Sequence, residues 1–240
     1  RGGRACARVR LGDDPAVTVE KVGEEHVDEA LAGRLRELTA THELDRTVAT
    51  VEEPIERTET ATTVAESRIG NVVVDAFRWR SGADVALSPP GAIRSGPPLQ
   101  GAVTVADLVA LTPYNDDLQV IELPGDRLRE AFVAVPFGYH DDGHPEEFCS
   151  HVSGATVIWD DDTGELVRAT VGGDPIESGG SYTVAVPEYL VQTAHVNDAF
   201  GPADVIDTCG IARDAIVDCA REQGLAPSLD NRIRRPRIDI

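Results

Sequence analysis

ESRIGNVVVDAFRWRSGADVALSPPGAIR, residues 66–94, contains the change of periodicity that decides the fold class. From Glu66 to Trp79 the apolar residues Ile69, Val72, Val73, Ala76 and Phe77 recur three and four apart, which places them on one face of a helix. After Gly82 the pattern becomes a short apolar run, Asp84 to Ser88, bounded by turn residues, and this reads as a buried strand. The loop Pro89-Pro90-Gly91-Ala92-Ile93-Arg94-Ser95-Gly96 follows. A helix, a buried strand and a loop rich in turn residues form the repeating unit of a layered fold that mixes helices with a sheet.

The same alternation extends in both directions. Upstream, residues 47–51 read as a strand, and Val27, Leu31, Leu35 and Leu38 stand at helical spacing between Glu24 and about Thr41. Residues 5–22 alternate apolar and polar around Gly12-Asp13-Asp14-Pro15, the pattern of a hairpin. Downstream, Thr104 with Asp107 three residues on predicts a capping box and a short helix that ends before Pro113. A strand is expected over 118–123, a helix capped by Asp126 and running to about Val135, and a polar loop over 137–147. Strands near 155–159, 166–171 and 182–186, then helices near 188–193 and 210–223, complete the pattern. The expected class is α/β, or α+β layered, with mixed sheets sandwiched by helices. Residues 1–45 read as the end of a preceding domain, a hairpin and a linker helix, and residues 46–240 as one domain.

Composition bounds the function. The 240 residues carry 42 acidic and 22 basic side chains, a formal charge of -20, and Lys21 is the only lysine. Acid spread along the whole chain with arginine as the cation is the pattern of a salt-adapted surface, which stays hydrated when salt shortens screening to about 3 Å at 1 M. Such a charge argues against a nucleic-acid duplex as partner, because a net anion gains no counterion release from phosphates. No apolar run reaches the roughly 20 residues of a membrane span. Cys6, Cys149, Cys209 and Cys219 are too scattered for a zinc knuckle or a disulfide framework. The opening Arg1-Gly2-Gly3-Arg4 and the lack of any Met read as a piece of a longer polypeptide.

Several blocks, in order, carry a family resemblance. They are Glu66-Ser67-Arg68-Ile69-Gly70-Asn71 with Asp75-Ala76, then Gly82 to Leu87, Gly91-Ala92-Ile93-Arg94, Gly101-Ala102-Val103-Thr104 and Thr112-Pro113-Tyr114-Asn115. Val152-Ser153-Gly154 ahead of Trp159-Asp160, and Tyr182-Thr183-Val184-Ala185 leading to Tyr189-Leu190, continue the series. Together they resemble the carboxy-terminal domain of the 5'-nucleotidase family over about residues 60–200. The resemblance implies the second half of a two-domain phosphoesterase. The amino-terminal half, a metallophosphatase domain, would hold two divalent metal ions and activate water. None of its metal-binding motifs occurs in this sequence, so no cofactor is expected in this chain. The implied partners are a nucleoside monophosphate or related nucleotide and the metallophosphatase domain itself. Neither compartment nor oligomeric state follows from the sequence, although relatives are commonly exported.

The resemblance also implies a site. Arg94 matches the arginine of a glycine-rich loop that grips the phosphate or ribose side, with Gly91 shaping the turn; a guanidinium there presents several fixed donors to an anion. Tyr114 and Tyr189 match the two aromatics between which the base stacks, an interaction worth about 1–3 kcal/mol per base. Asn115 matches a base-edge contact, Gly154 the small residue beneath the base, and Asp198 the ribose-binding aspartate, with His195 as the ungapped alternative. The sequence departs from the family at Pro89 and Pro90, where an amide side chain and a backbone donor are lost, and at Thr63, where an arginine is usual and for which Arg68 is the candidate substitute. These departures leave open a second reading: a domain that has lost nucleotide recognition and serves as a structural or interaction module. A non-nucleotide branch of the same architecture is a third. The run His140-Asp141-Asp142-Gly143-His144, with Cys149 and His151 beyond, has metal-ligand chemistry but the glycine and proline content of a solvated loop.

Overall fold

A computed structural model describes residues 5–11, 15–21, 27–89, 91–134, 149–160, 165–194 and 196–234. The expected turn at 12–14, the polar loop 137–147 with His140, Asp141, Asp142, Gly143 and His144, and the positions Pro90 and His195 lie outside these residues.

The chain divides into two compact units, Arg1–Asp45 and Arg46–Ile240. In the first, strands β1 (Ala5–Arg10) and β2 (Ala16–Lys21) pair antiparallel, with Val9 opposite Val17 and Ala7 opposite Val19. Helix α1 (Glu29–Thr41) follows. Asp28 caps it by accepting from the Ala30 and Leu31 backbone N–H groups, both at 3.0 Å.

The second unit is built on a five-stranded mixed sheet. In chain order its elements begin with β3 (Thr47–Ile55), α2 (Glu59–Thr63), α3 (Arg68–Ser81), β4 (Val85–Ser88) and β5 (Leu99–Thr104). Next come α4 (Val105–Val109), β6 (Asp117–Pro124), α5 (Gly125–Val133), β7 (His151–Ser153), β8 (Ala155–Asp160), β9 (Glu165–Val171) and β10 (Asp174–Pro175). The last are β11 (Ser181–Pro187), α6 (Glu188–Gln192), β12 (Val205–Ile211), α7 (Ala212–Gln223) and β13 (Ile233–Arg234). The main sheet has the order β12-β6-β11-β4-β7; a four-stranded sheet β10-β9-β8-β13 and the pair β3-β5 complete the sheets of this unit. In the main sheet β4 and β11 run parallel and the other neighbours are antiparallel.

Alternation along the strands of this sheet produces two cores. Ala86, Leu118, Val120 and Ala185 face the cluster formed with α3, α4 and α7, whereas Val85, Leu87, Ile121, Leu123, Val184 and Val186 face the cluster that contains Phe132 of α5 and Trp159 of β8. The sheet is therefore covered on both faces, as the near-continuous apolar run of β4 requires. Helix α3 begins at Arg68, two residues later than its periodicity suggests, because Ser67 is its cap and accepts from the Gly70 N–H. The Thr104–Asp107 capping box is present. The expected Asp126 cap is not: Pro124 takes the cap position of α5 with no side-chain hydrogen bond, and the helix ends at Val133.

The block Glu66 to Asp75 has a structural task that its sequence does not announce. The Glu66 carboxylate accepts from the backbone N–H groups of Asp230 and Arg232 at 2.9 and 2.8 Å and from Asn71 Nδ2 at 3.0 Å. Asp75 takes the Arg232 guanidinium in two hydrogen bonds, at 2.6 and 3.0 Å, and accepts from Ser153 Oγ at 2.6 Å. Arg68 donates to Pro227 O and Pro54 O at 3.1 and 3.2 Å. Residues 227–232 are thereby held on α3, and β13 adds in parallel to β8.

His151 sits under α3 and is buried. Its Nε2–H donates to Thr62 O at 3.1 Å, Nδ1 has no partner, and a side chain at Gly70 would place its Cβ 2.1 Å from Nδ1. Burial pushes the imidazole pKa down to about 4, against an opposing contribution from the Thr62 bond. The neutral ring therefore favours the folded state above the unfolded value near 6.5, and this contribution is lost as pH falls from there toward 4, to a limit of about 3 kcal/mol. Urea unfolding of the wild type and of His151→Gln at pH 7 and pH 4.5 should show a steeper acid loss in the wild type; equal losses would contradict the buried neutral imidazole. Gly70→Ala is expected to destabilise the fold at both pH values.

Candidate nucleotide-binding edge

The parallel pairing of Val85 with Val184 and Ala86 with Ala185 brings the carboxyl ends of β4 and β11 to one edge of the sheet. The loop with Gly91 and Arg94 leaves from the first and Glu188-Tyr189 from the second. β6 is antiparallel to β11, with Leu118 opposite Pro187, so the segment Tyr114-Asn115-Asp116 enters at the same edge. β12 pairs Ile211 with Asp117, which brings the first turn of α7 there too. Segments far apart in sequence thus converge outside the carboxyl ends of two parallel strands, the usual position of ligand sites in open α/β sheets.

Gly91 has φ +76°, the left-handed turn conformation in which a glycine carries no strain. The Arg94 N–H donates to Leu111 O at 2.7 Å, and Arg94 O accepts from Arg57 Nη2 at 3.1 Å. The same Nη2 reaches Ala110 O at 3.2 Å, and the Gly96 N–H donates to Arg57 O at 2.9 Å. Arg57 therefore holds the loop by backbone contacts, leaving the Arg94 side chain exposed. The Arg94 guanidinium lies over the Tyr114 ring, Cζ 5.1 Å from its centroid, a cation–π contact. It occupies one face of the half-buried ring.

Arg213, in the first turn of α7, donates to Tyr114 O and to Asn115 Oδ1, both at 2.9 Å, while the Ala212 N–H donates to Asp116 O at 2.9 Å. The Asp116 carboxyl is pushed above the usual carboxylate range by burial, then by the charges of Glu188 and Asp117. Pro187 lies opposite Leu118, which brings the start of α6, and with it Tyr189, toward the Asn115 segment. Tyr189 is 40% exposed. The edge thus carries the Arg94 and Arg213 guanidinium groups beside the Asp116, Asp117 and Glu188 carboxylates.

One predicted residue, Gly154, stands apart. Gly154 follows β7 at the opposite edge, beside the start of β4; it has φ +78°, and a Cβ there would lie 2.1 Å from Asp84 O. Its need for glycine is explained by that close approach. Asp198 is exposed on the segment between α6 and β12, which Asn197 Nδ2 fixes to Ala131 O at 3.0 Å and Arg127 fixes through Ala199 O and a two-bond pair with Asp204 at 2.6 and 2.7 Å. Thr63, where the family has an arginine, is buried and donates to Glu59 O at 2.7 Å, and Arg68 is engaged at Pro227 and Pro54 instead of this edge. Arg57 and Arg213 escaped the sequence reading because their partners are backbone or amide oxygens 37 to 99 residues away, which no local spacing encodes. A cavity of about 110 Å³ beside Arg57, lined also by Leu99, Val103 and Asp107, is too small for a nucleotide. Among the described residues there is no group of three or more His, Cys, Asp or Glu that could hold a metal ion, and no helix is long and apolar enough to cross a membrane.

A family model described as "5'-nucleotidase, C-terminal domain" matches residues 47–201. The curated protein Endonuclease YhcR of Bacillus subtilis (strain 168) is 30% identical over 129 residues, which is 52% of this chain and 10% of that protein. Among solved structures, a 5'-nucleotidase precursor from Thermus thermophilus superposes with a TM-score of 0.74 at 20% identity, covering 92% of this chain and 46% of that one. A putative 5'-nucleotidase from Staphylococcus aureus in complex with alpha-ketoglutarate gives 0.69 at 18%, covering 97% and 51%. The Thermus thermophilus sulfate thiohydrolase SoxB in complex with glycerol gives 0.59 at 20%, covering 99% and 45%. The chain spans about half the length of these structures and a tenth of the curated relative.

If Arg57 holds the Arg94 loop, Arg57→Met should accelerate hydrogen exchange at the Arg94 and Gly96 amides while leaving Ala185 in β11 protected. Unchanged exchange at Arg94 would remove Arg57 from that role.

Proposed function

Because the chain belongs to the 5'-nucleotidase C-terminal domain family, we propose that it is the substrate-recognition domain of a two-domain, metal-dependent phosphoesterase of the 5'-nucleotidase or 2',3'-cyclic-nucleotide phosphodiesterase type, acting in nucleotide catabolism. The observation that carries this reading is the convergence of Arg94, Tyr114, Asn115 and Tyr189 on one sheet edge through the parallel β4–β11 pairing. In it, Arg94 meets the phosphate or ribose side of a nucleoside monophosphate or related nucleotide, Tyr114 and Tyr189 flank the base, and Asn115 contacts the base edge. Gly91 provides the turn that presents Arg94, Asp198 is the candidate ribose contact, and Gly154 acts from a distance by fixing the start of β4. Two divalent metal ions in the companion metallophosphatase domain would activate the attacking water; this chain's residues bind and orient the substrate.

A second reading, a domain that has given up nucleotides and serves as a structural or interaction module, draws on Thr63, whose hydroxyl is turned to Glu59 O, and on Pro89. Titration with adenosine up to millimolar concentration separates the two. Recognition predicts saturable binding that Tyr114→Ala weakens on the order of tenfold to a hundredfold, the loss of one stacked base. A flat titration favours the structural module. The 240-residue chain alone is expected to release no phosphate from AMP with added divalent metal, and measured turnover would overturn the division of labour.

A further inference from the structure

The contact between Arg213 and Asn115 determines which atom of the Asn115 amide faces outward. A guanidinium has five N–H donors and no acceptor, so the amide atom turned to Arg213 Nη2, at 2.9 Å, is the oxygen Oδ1. The Asn115 side chain is exposed, and its Nδ2 donates to no group among the described residues. The segment is doubly fixed, since Arg213 Nη1 holds Tyr114 O at 2.9 Å and the Ala212 N–H holds Asp116 O at 2.9 Å. Arg213 is itself a half-buried side chain whose Nε lies 3.7 Å from the Asp214 carboxylate.

We propose that Arg213 is a positioning and specificity-determining residue: it engages the Asn115 oxygen and thereby presents the amide as a donor only, selecting bases with an acceptor atom, a ring nitrogen or carbonyl oxygen, on the edge that meets Asn115. This rests on the nucleotide-binding reading of the same edge. An asparagine free to turn its amide serves a donor or an acceptor equally; one whose oxygen is already bonded does not. A base edge carrying an amino group or C–H at that place leaves Nδ2 unmatched, and an unmatched hydrogen bond costs about 1 kcal/mol or more, roughly fivefold in affinity.

The test is a calorimetric titration of the wild-type chain, Arg213→Met and Asn115→Asp with adenosine and its 1-deaza, 3-deaza and 7-deaza analogues, each of which replaces one ring nitrogen by C–H. In the wild type, one analogue should bind about fivefold or more weakly than adenosine. In Arg213→Met the gap between adenosine and that analogue should shrink to within about twofold. Asn115→Asp retains the contact with Arg213 as an ion pair and presents an oxygen outward, so adenosine should lose its advantage while Tyr114 stays in place. A role in folding alone would weaken all four ligands together and preserve their ratios, and that result overturns the proposal, as would equal binding of all analogues by the wild type. A wild type that binds no nucleoside overturns both this inference and the reading beneath it, and is thereby distinguished from a failure of specificity alone.

Discussion

The parallel pairing of β4 with β11 is the constraint on which the candidate site depends, and it is secured by two residues, Asp84 and Thr183. The Asp84 N–H donates to Thr183 Oγ1 at 3.0 Å, and Asp84 Oδ2 accepts from the Thr183 N–H and hydroxyl at 2.9 and 2.8 Å. This reciprocal clasp sits at the amino ends of both strands, so it sets their register before either reaches the candidate edge. A slip by one residue would turn every side chain of a strand to the wrong core. It would also displace the Arg94 loop relative to Tyr189. The neighbouring antiparallel strands then bring Tyr114, Asn115 and the start of α7 to the same edge without further signals.

The residues that most resemble the family divide into two groups with different physical tasks. Glu66, Arg68, Asn71 and Asp75 are occupied by the segment 227–232, and Gly70 and Gly154 are fixed by close approaches to His151 and Asp84. These positions maintain the sheet and its helices. Arg94, Tyr114, Asn115 and Tyr189 are half-buried or exposed, and the described side-chain contacts of Arg94, Tyr114 and Asn115 are with one another or with Arg213. The motif blocks therefore speak mainly for a fold, and in the proposed reading the smaller second group carries the function.

What the sequence made legible follows from the range of the interactions. Helix α3, the buried strand β4 and the Thr104–Asp107 capping box are written in residues within a few positions of one another, and each is present as expected. The supposed Asp126 cap used the same local rule and failed, because β6 runs directly into α5 through Pro124 and leaves no turn for an aspartate to cap. β13 is only two residues long and owes its place to Glu66, far upstream, so it has no local signature. Arg57 and Arg213 are ordinary arginines in sequence; only the folded chain shows their guanidinium groups aimed at carbonyl and amide oxygens.

Electrostatics then orders the edge itself. With a formal charge of -20, the protein repels a nucleotide at long range, but at physiological ionic strength that repulsion is screened over about 8 Å. What a phosphate at this edge would meet is therefore the local arrangement. The Arg94 guanidinium stacks on Tyr114 and makes no hydrogen bond or ion pair among the described residues, so its donors remain available to an anion. Asp116, Asp117 and Glu188 lie close enough to one another to raise the Asp116 pKa. In the proposed reading the phosphate is directed to Arg94, whose donors are free, and the neutral base to Asn115, whose neighbouring Arg213 is already engaged. An acidic chain would thus hold an anionic ligand by sorting its few cations rather than by adding more.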